Sequence, residues 1–471
     1  MVADIYTVFP KDQVLTPADG AAYEESLHRW AENAERRAQF VVLPKSAQDV
    51  AQAILFAVAN GLEIAVKGGG HSTSGASSSE GLVIDLRYLS TVSADTETRR
   101  LTVGGGAIWE AVDKEAAKYG LATVGGTVNH TGLYWCVGGL TVGGGYGWLT
   151  PKYGLAIDNL LQAEVVTASG DVLTCSETQN ADLFWAIRGG GSNFGVVTSF
   201  VFKAYPQANP VWSGLVAFLP TQLPAILDAA QSWVQTSSED KSCMIVFACP
   251  PPAFQPTVVL APFFNGPEEE GRRRFKAFFD VGPVADMTRT RPYDEQNSIQ
   301  NPMATHGGRK ALKSAPLERI DADILTDLFN AYVALVKEHP EAKSSALIVE
   351  LHDYKKLMEV PFDAAAFANR LPGYNITFVM RWKSPELDST FRQWTSARAK
   401  AIRDEEAKRS GKNLAGTRSY ANFGLGDERV HDVFGEHYDR LSEIKAKYDP
   451  QMVFHKWFPI VPKGFAGQLP A

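Results

Sequence analysis

Three consecutive glycines, Gly68, Gly69 and Gly70, close the apolar run Leu62-Glu63-Ile64-Ala65-Val66 and lead into His71-Ser72-Thr73-Ser74-Gly75. A strand that ends in glycines lets its backbone approach a ligand, because no side chain intervenes. Successive backbone N–H groups in such a turn form a concave nest suited to a pyrophosphate. His71 follows directly, a nucleophilic and hydrogen-bonding group at the ligand's edge. A second run, Gly138 to Gly147 (GGLTVGGGYG), supplies another backbone wall. The two runs together imply one large, phosphate-bearing cofactor, and the remaining chain has to fold around it.

The chain is long enough for two or three domains, or for one large composite domain: 471 residues, 45% hydrophobic and 21% charged. Lysine and arginine number 46 against 53 aspartate and glutamate, a net charge of −7 with no basic block, which argues against nucleic acid as a partner. No apolar stretch reaches the roughly 18 residues of a membrane span. The start, MVADIYTVFPKDQVL, lacks the positive end and long apolar core of a secretory signal. A cytoplasmic location is therefore expected, or secretion if a signal has been removed. Four cysteines, Cys136, Cys175, Cys243 and Cys249, are too few for a disulfide framework in a chain this long. No CxxC or clustered His/Cys spacing points to a metal.

Periodicity predicts a helix over residues 22–36, with Leu27, Trp30 and Ala34 inward and Ser26, Arg29 and Glu32 wet. A short strand, Phe40 to Leu43, stops at Pro44. Ser46 is read as the cap of a helix from Asp49 to Asn60, and the strand Ile64–Val66 then runs into the glycine nest as the second strand of a β-α-β unit. Further strands are expected at Leu82–Leu86, Leu101–Gly105, Ala163–Thr167 and Val196–Ala204, with a hairpin turn at Ser169-Gly170. Helices are expected at Ile108–Tyr119 and over 179–188. Beyond residue 207 longer antiparallel strands are expected at Trp212–Phe218, Thr257–Phe264, Ala346–Leu351 and Ile376–Trp382, with a helix at Ala322–Glu338. That texture implies a sheet covered by helices on one face. Residues 287–313 are read as a loop-rich connection, and Val430–Tyr448 as a helix.

These segments resemble the berberine bridge enzyme-like oxidases of the vanillyl-alcohol oxidase superfamily. The likeness is carried by GGGHS, by Ile84-Asp85-Leu86, by GGLTVGGGYGWL and KYGLAIDN, and by DLFWAIRGGGSNFGVVTSF. It returns at Tyr420-Ala421-Asn422-Phe423, FGEHYDRL and KYDPQMVF, and is weakest over 207–415. GGGYG does not sit in the first strand-to-helix turn of a ~30-residue βαβ unit, so a Rossmann site is not indicated. The resemblance implies an α+β, two-domain FAD-binding fold of the vanillyl-alcohol oxidase type. Its flavin domain would use both chain ends, 1–206 and 416–471, and its substrate domain the middle, 207–415.

The resemblance also implies site residues. His71 falls where the family's histidine bonds covalently to FAD, the alternative being a histidine that only hydrogen-bonds the cofactor. Lys67, Gly68, Gly69, Gly70 and Ser72 would form the first wall, Thr131, Gly132, Gly138, Gly139, Gly143, Gly144 and Gly147 the second. Gly195, Val197, Tyr420 and Asn422 would complete the cofactor site. Val128 stands where many relatives carry a second attachment cysteine, so a single link is expected. Leu133 to Cys136 looks like an insertion against the family pattern and leaves Cys136 as a second candidate near the ring. Tyr420 would act as catalytic base or its partner, helped by Arg418, with Tyr146, Glu350 and His352 as further candidates. Glu350 and His352 share one strand face, as do Thr377, Val379 and Arg381, and each face looks either at the cofactor or at solvent. The expected activity is oxidation of a small alcohol, sugar or amine with oxygen as acceptor and hydrogen peroxide as product. A cyclase or dehydrogenase that does not use oxygen, and a non-catalytic FAD-binding protein, stay open beside it.

Overall fold

The computed structural model describes residues 2–129, 137–236, 238–410 and 419–467. The chain opens with a small sheet of β1 (Val14–Leu15), β2 (Phe40–Val42), β3 (Ile64–Lys67) and β4 (Leu82–Asp85), in the order β1-β2-β4-β3. β2 and β3 both run parallel to β4. The helix Ala47–Ala59 crosses between β2 and β3. Its Ser46 cap accepts the Asp49 N–H at 3.1 Å while Asp49 accepts the Ser46 N–H at 3.0 Å. The helix buries Val50, Ile54 and Phe56 against Ile64, Leu82 and Ile84, which fixes the end of β3 where the glycines begin.

A second sheet is antiparallel: β5 (Val92–Asp95), β6 (Arg100–Gly104), β8 (Leu160–Val166), β9 (Val172–Ser176) and β10 (Val196–Lys203), ordered β5-β6-β10-β8-β9. Gly170, at φ +83°, turns the β8–β9 hairpin as expected. β7 (Leu121–Ala122) pairs with β11 (Tyr205–Pro206), so the Tyr-Pro pair that ends β10 makes a further short strand.

The largest sheet spans β12 (Val211–Ser213), β13 (Val216–Phe218), β14 (Lys241–Ala248), β15 (Thr257–Phe264), β16 (Ala285–Asp286), β17 (Arg289–Arg291), β18 (Arg309–Leu317), β19 (Ala346–His352) and β20 (Tyr374–Trp382). Its main path is β16-β13-β15-β14-β19-β20-β18, antiparallel throughout. One face carries Cys243, Ile245 and Phe247 into a core with the helices Leu223–Val234, Ala322–Glu338 and Asp388–Ser410. The alternate residues Met244, Val246 and Ala248 face the other way, toward the two smaller sheets.

The C-terminal segment returns to the second sheet through a buried lysine. Lys445 Nζ bonds Asp449 at 2.6 Å and the Phe454 carbonyl at 2.7 Å, and also holds the Asn193 carbonyl. Asn193 in turn donates to the Trp457 carbonyl at 3.0 Å.

Five expectations change. The helix predicted over 22–36 is Ala21–Leu27 only. Arg29, expected wet, is buried and turns its guanidinium back on the helix end, bonding the Ser26, Leu27 and His28 carbonyls at 2.8–3.0 Å. It thereby satisfies carbonyls a longer helix would have used; Ser26 is buried with it. The predicted connection 287–313 contains β17 and the start of β18. Three basic residues make β18 look polar, yet each is paired: Arg309 with Asp388, Lys310 with backbone carbonyls, Lys313 with Asp427 and Glu428. The segment expected as one strand, Trp212–Phe218, is β12 and β13, broken at Gly214-Leu215. The C-terminal helix is Val430–Phe434 and Tyr438–Tyr448, interrupted at Gly435, whose φ is +50°. Among the described residues no helix is long and apolar enough to cross a membrane.

Candidate active site

Residues 68–72, following β3, lie along one wall of a cavity of about 810 Å³ between the inner face of the large sheet and the two smaller sheets. Two buried cations set this wall. Arg29 reaches the Ser77 carbonyl at 2.7 Å, and Lys67 bonds the Ser26 carbonyl at 3.0 Å and the Asp85 carboxylate at 3.1 Å. The Lys67 side chain therefore holds loop to strand and does not line the cavity, a correction to its expected place in the cofactor wall. Trp30 is fixed by N–H bonds to the Gly70 carbonyl at 3.1 Å and, from its indole, to the Ala304 carbonyl at 3.0 Å. Its ring stacks on His71 with centroids 3.9 Å apart. Burial, with the positive charge of His306 and Lys310 nearby, holds the His71 imidazole well below its usual range, so it is neutral at pH 7. Neutral imidazole is the nucleophilic form.

The second wall comes from the helix Val137–Val142, whose Gly138 and Gly139 face the cavity; a Cβ at Gly139 would meet nothing within 4 Å. Gly143, Gly144 and Gly147 do not line it. A Cβ on Gly143 would fall 1.9 Å from Asn422 Oδ1, on Gly144 2.6 Å from the Phe367 ring, and on Gly147 2.0 Å from the Gly125 carbonyl. Those three glycines permit close packing of the protein on itself, so they lie behind the wall where the sequence placed them in it. Gly195, Val197, Ser72 and Asn422 line the cavity, and so does Val128 at the position read as the missing cysteine. Thr131, Gly132, Cys136 and the helper Arg418 lie outside the described residues.

Tyr420 and Asn422 belong to one tight turn, Tyr420 being the residue before the single-turn helix Ala421–Phe423. The Tyr420 hydroxyl oxygen receives three N–H donors: Asn422 Nδ2 at 2.9 Å and the backbone amides of Gly145 at 3.2 Å and Tyr146 at 3.4 Å. Asn422 also donates to the Leu140 carbonyl at 2.9 Å, which ties the turn to the glycine wall. Burial pushes the Tyr420 phenol up to about 12, while the three donors pull the other way. The Tyr146 ring meets Tyr420 edge-on at 5.0 Å; burial raises its phenol too.

Glu350 faces the cavity from β19, opposite Met244 on β14. Burial pushes its carboxyl up to about 7, partly offset by Asn375 Nδ2 at 3.2 Å. His352, two residues on, packs its ring 5.4 Å from Tyr146 and does not line the cavity; burial lowers it to about 4. The strand pattern thus puts both on one side, with Glu350 and Tyr146 lining the cavity and His352 packed against the Tyr146 ring. Thr377, Val379 and Arg381 of β20 line the cavity. Arg381 reaches the rim and bonds the Met303 carbonyl at 2.8 Å and Thr305 Oγ1 at 2.8 Å.

The fit to FAD can be tested on this wall. The cavity has a glycine-lined end at Gly68–Gly70 and Gly138–Gly139, where backbone can approach phosphate closely. Among the described residues, the buried Ser77 hydroxyl in this wall has no hydrogen-bond partner. A neutral imidazole stands beside the wall. Glycine backbone and an unused hydroxyl form a donor set suited to a dinucleotide. Trp30, Arg29, Ser77 and Lys310 are the site residues that sequence reasoning overlooked. Their partners lie far along the chain, as with the Lys310 bond to the Trp30 carbonyl, and no local pattern marks them.

The family described as "FAD binding domain" matches residues 38–176, and the one described as "Berberine and berberine like" matches residues 419–459. The FAD-linked oxidoreductase pgmH of Aspergillus terreus is 35% identical over 464 residues, covering 93% of this chain and 91% of that protein. The crystal structure of 6-hydroxy-D-nicotine oxidase from Arthrobacter nicotinovorans superposes with a TM-score of 0.78 at 27% identity, covering 95% of this chain and 97% of that one. A xylooligosaccharide oxidase from Myceliophthora thermophila, in complex with xylobiose, shares the fold with a TM-score of 0.81 at 22% identity, covering 96% and 97%. The α+β architecture is that of the vanillyl-alcohol oxidase type. With both ends of the flavin-binding frame matched and a relative aligned nearly end to end, the chain belongs to the berberine bridge enzyme-like FAD-linked oxidoreductases.

Proposed function

We propose that this enzyme holds FAD in the cleft, linked to the chain through His71, and oxidises a small molecule by two electrons with oxygen as the final acceptor. Residues 1–206 and 416–471 form the flavin unit on this reading, and 207–415 the substrate unit. The observation that carries it is the Tyr420 hydroxyl oxygen, which receives three N–H donors at the cavity wall shared with Glu350. An oxygen so surrounded is an acceptor, and the same donors stabilise a phenolate.

FAD held in this cleft would supply a hydride acceptor, with oxygen as the final oxidant and hydrogen peroxide as its product. The chain's own part is proton handling and orientation. Tyr420 takes the proton from the substrate hydroxyl or amine as its own phenolic proton passes to the Glu350 carboxylate. Glu350, whose carboxyl titrates near 7, shares that proton at neutral pH. The Trp30 stack fixes the His71 ring, and its neutral state leaves a nitrogen lone pair for the link. Purified protein is expected to be yellow, to bleach anaerobically with a working substrate and to release peroxide when air is admitted. A colourless protein would overturn the reading. Bleaching followed by dye reduction without peroxide would replace oxygen with another acceptor.

A further inference from the structure

The inner face of the large sheet is ordered in rows. At the inner end Ala261, Met244 and Glu350 lie side by side across β15, β14 and β19. The next row is Val259, Val246, Ile348 and Thr377. The outer row is Ala248, Ala346 and Val379. All of these residues line the cavity. With about 3.4 Å per residue and about 4.8 Å between strands, the platform extends roughly 14 Å in each direction. Alanines flank the branched residues, so the surface is low and even. Its polar groups sit on its margin: Glu350 at the inner end, Gln300 against Met244, and Thr377 at the side.

The mouth continues this character. Phe254, Met287 and Met303 line the cavity and are exposed at 49%, 58% and 36%. Beyond the outer row stand two cations. Arg381 is held by the Met303 and Thr305 carbonyls, and among the described residues it makes no ion pair. Lys343 also lines the cavity, and among the described residues it makes no hydrogen bond or ion pair.

We propose that the substrate is a flat, predominantly apolar fused-ring compound bearing an acidic group. Its oxidisable end reaches Tyr420 and Glu350, its ring lies on the Val246–Ile348 platform, and its anion meets Lys343 under the field of Arg381. This rests on the oxidase reading above and narrows it. A sugar chain lying on this platform would lose water from the hydroxyls over its Val246–Ile348 centre, where only the edge groups Glu350, Gln300 and Thr377 offer polar partners. A fused ring loses only apolar hydration.

The test uses the purified holoenzyme and three probes: 2-naphthoate, its neutral isostere 2-naphthamide, and cellobiose. Binding is read from the visible flavin spectrum and, separately, from tryptophan fluorescence. 2-Naphthoate is expected to bind about tenfold tighter than 2-naphthamide, with cellobiose unbound at a hundredfold higher concentration than about the naphthoate Kd. Lys343→Met should erase the naphthoate preference and leave 2-naphthamide unchanged. Val246→Thr, close in shape, should weaken both naphthalenes, with thermal melting confirming the fold. Cellobiose binding as tightly as the naphthalenes, or a naphthoate preference that survives Lys343→Met, would overturn the proposal. A protein that carries no flavin but binds the naphthalenes by tryptophan fluorescence sinks the oxidase reading alone. A flavin that bleaches with dithionite and reoxidises in air, in a protein that ignores both naphthalenes, sinks the substrate class alone.

Discussion

The indole of Trp30 lies face to face with the imidazole of His71, ring centroids 3.9 Å apart and planes 24° apart. Trp30 is gripped from both sides of the cleft. Its N–H reaches the Gly70 carbonyl beside His71, its indole N–H reaches Ala304, and its carbonyl receives Lys310 from β18. Lys310 also stands 4.9 Å over the indole ring. The stack therefore makes the orientation of His71 depend on the large sheet.

The first expectation concerns that dependence. His71→Ala should carry no flavin through a denaturing gel, while Trp30→Phe, which keeps a ring against the imidazole, should retain most of it. Trp30→Leu should lower the covalently attached fraction while FAD still binds. Truncating a buried tryptophan costs on the order of 3–5 kcal/mol, so melting curves must accompany the gels. Full attachment in Trp30→Leu would assign the stack to stability alone.

Tyr420→Phe keeps the ring between Tyr146 and Phe423 and removes one oxygen. Three N–H donors then lose their acceptor, at about 1–3 kcal/mol for a buried group left unpaired. FAD should stay bound. Anaerobic stopped-flow reduction by a working substrate should slow by about 10² to 10⁴. An unchanged rate would move the base to Glu350 and leave Tyr420 as the post that holds Asn422 against the glycine wall.

How much of this was legible beforehand follows from where partners lie. Alternation in ALIVELH puts Glu350 and His352 on one face, and the structure agrees; which of them meets the cavity depends on Tyr146, some 200 positions earlier and invisible to periodicity. The helix Ala322–Glu338 was readable in full because its apolar stripe and its Asp321 cap are local. Arg29 and Lys310 were not. Each charge satisfies backbone carbonyls deep in the protein, and a basic residue in a polar-looking segment reads as solvated unless those carbonyls are known. The glycine runs were legible as a set but not one by one. A glycine that admits a cofactor and one that admits Asn422 or Phe367 have the same letter.

Glu350 gives the activity its pH dependence. Its carboxyl is raised by burial to about 7, so it is protonated in mildly acid solution and ionised above neutrality. If it accepts the proton that Tyr420 receives, flavin reduction should rise with pH through about 7 and level off. Glu350→Gln should be slower and lose that ionisation, leaving a flat profile in the same window. A profile that keeps its inflection near 7 in the variant would assign the titration to another group.

Asp113 gives the stability its pH dependence, away from the cavity. It sits on the helix Trp109–Ala117, 5% exposed, and accepts Asn297 Nδ2 at 2.9 Å from beyond β17. Asn301 Nδ2 reaches Asn129 Oδ1 at 3.0 Å in the same seam. Burial pushes the Asp113 carboxyl up to about 7, opposed by its asparagine partners. An unfolded aspartate titrates near ~3.9. Between those values the folded chain keeps a proton that the unfolded chain has released. Stability is therefore greatest below about pH 4, falls as pH rises toward 7, and is flat above it as far as this group is concerned. Three pH units correspond to at most about 4 kcal/mol. Glu350 acts in the same direction, so the measurement is a difference between proteins and not a single slope. Lys310, lowered to about 7, has its effect above that pH and stays out of the window. Asp113→Asn stays neutral throughout and keeps a carbonyl for Asn297. Urea unfolding at pH 5 and pH 7 should show the wild type losing more stability than the variant over that interval, and the variant should be the more stable of the two at pH 7. Equal losses in the two proteins would mean that Asp113 is ionised in the folded chain, with the asparagines around it sufficient to hold the charge.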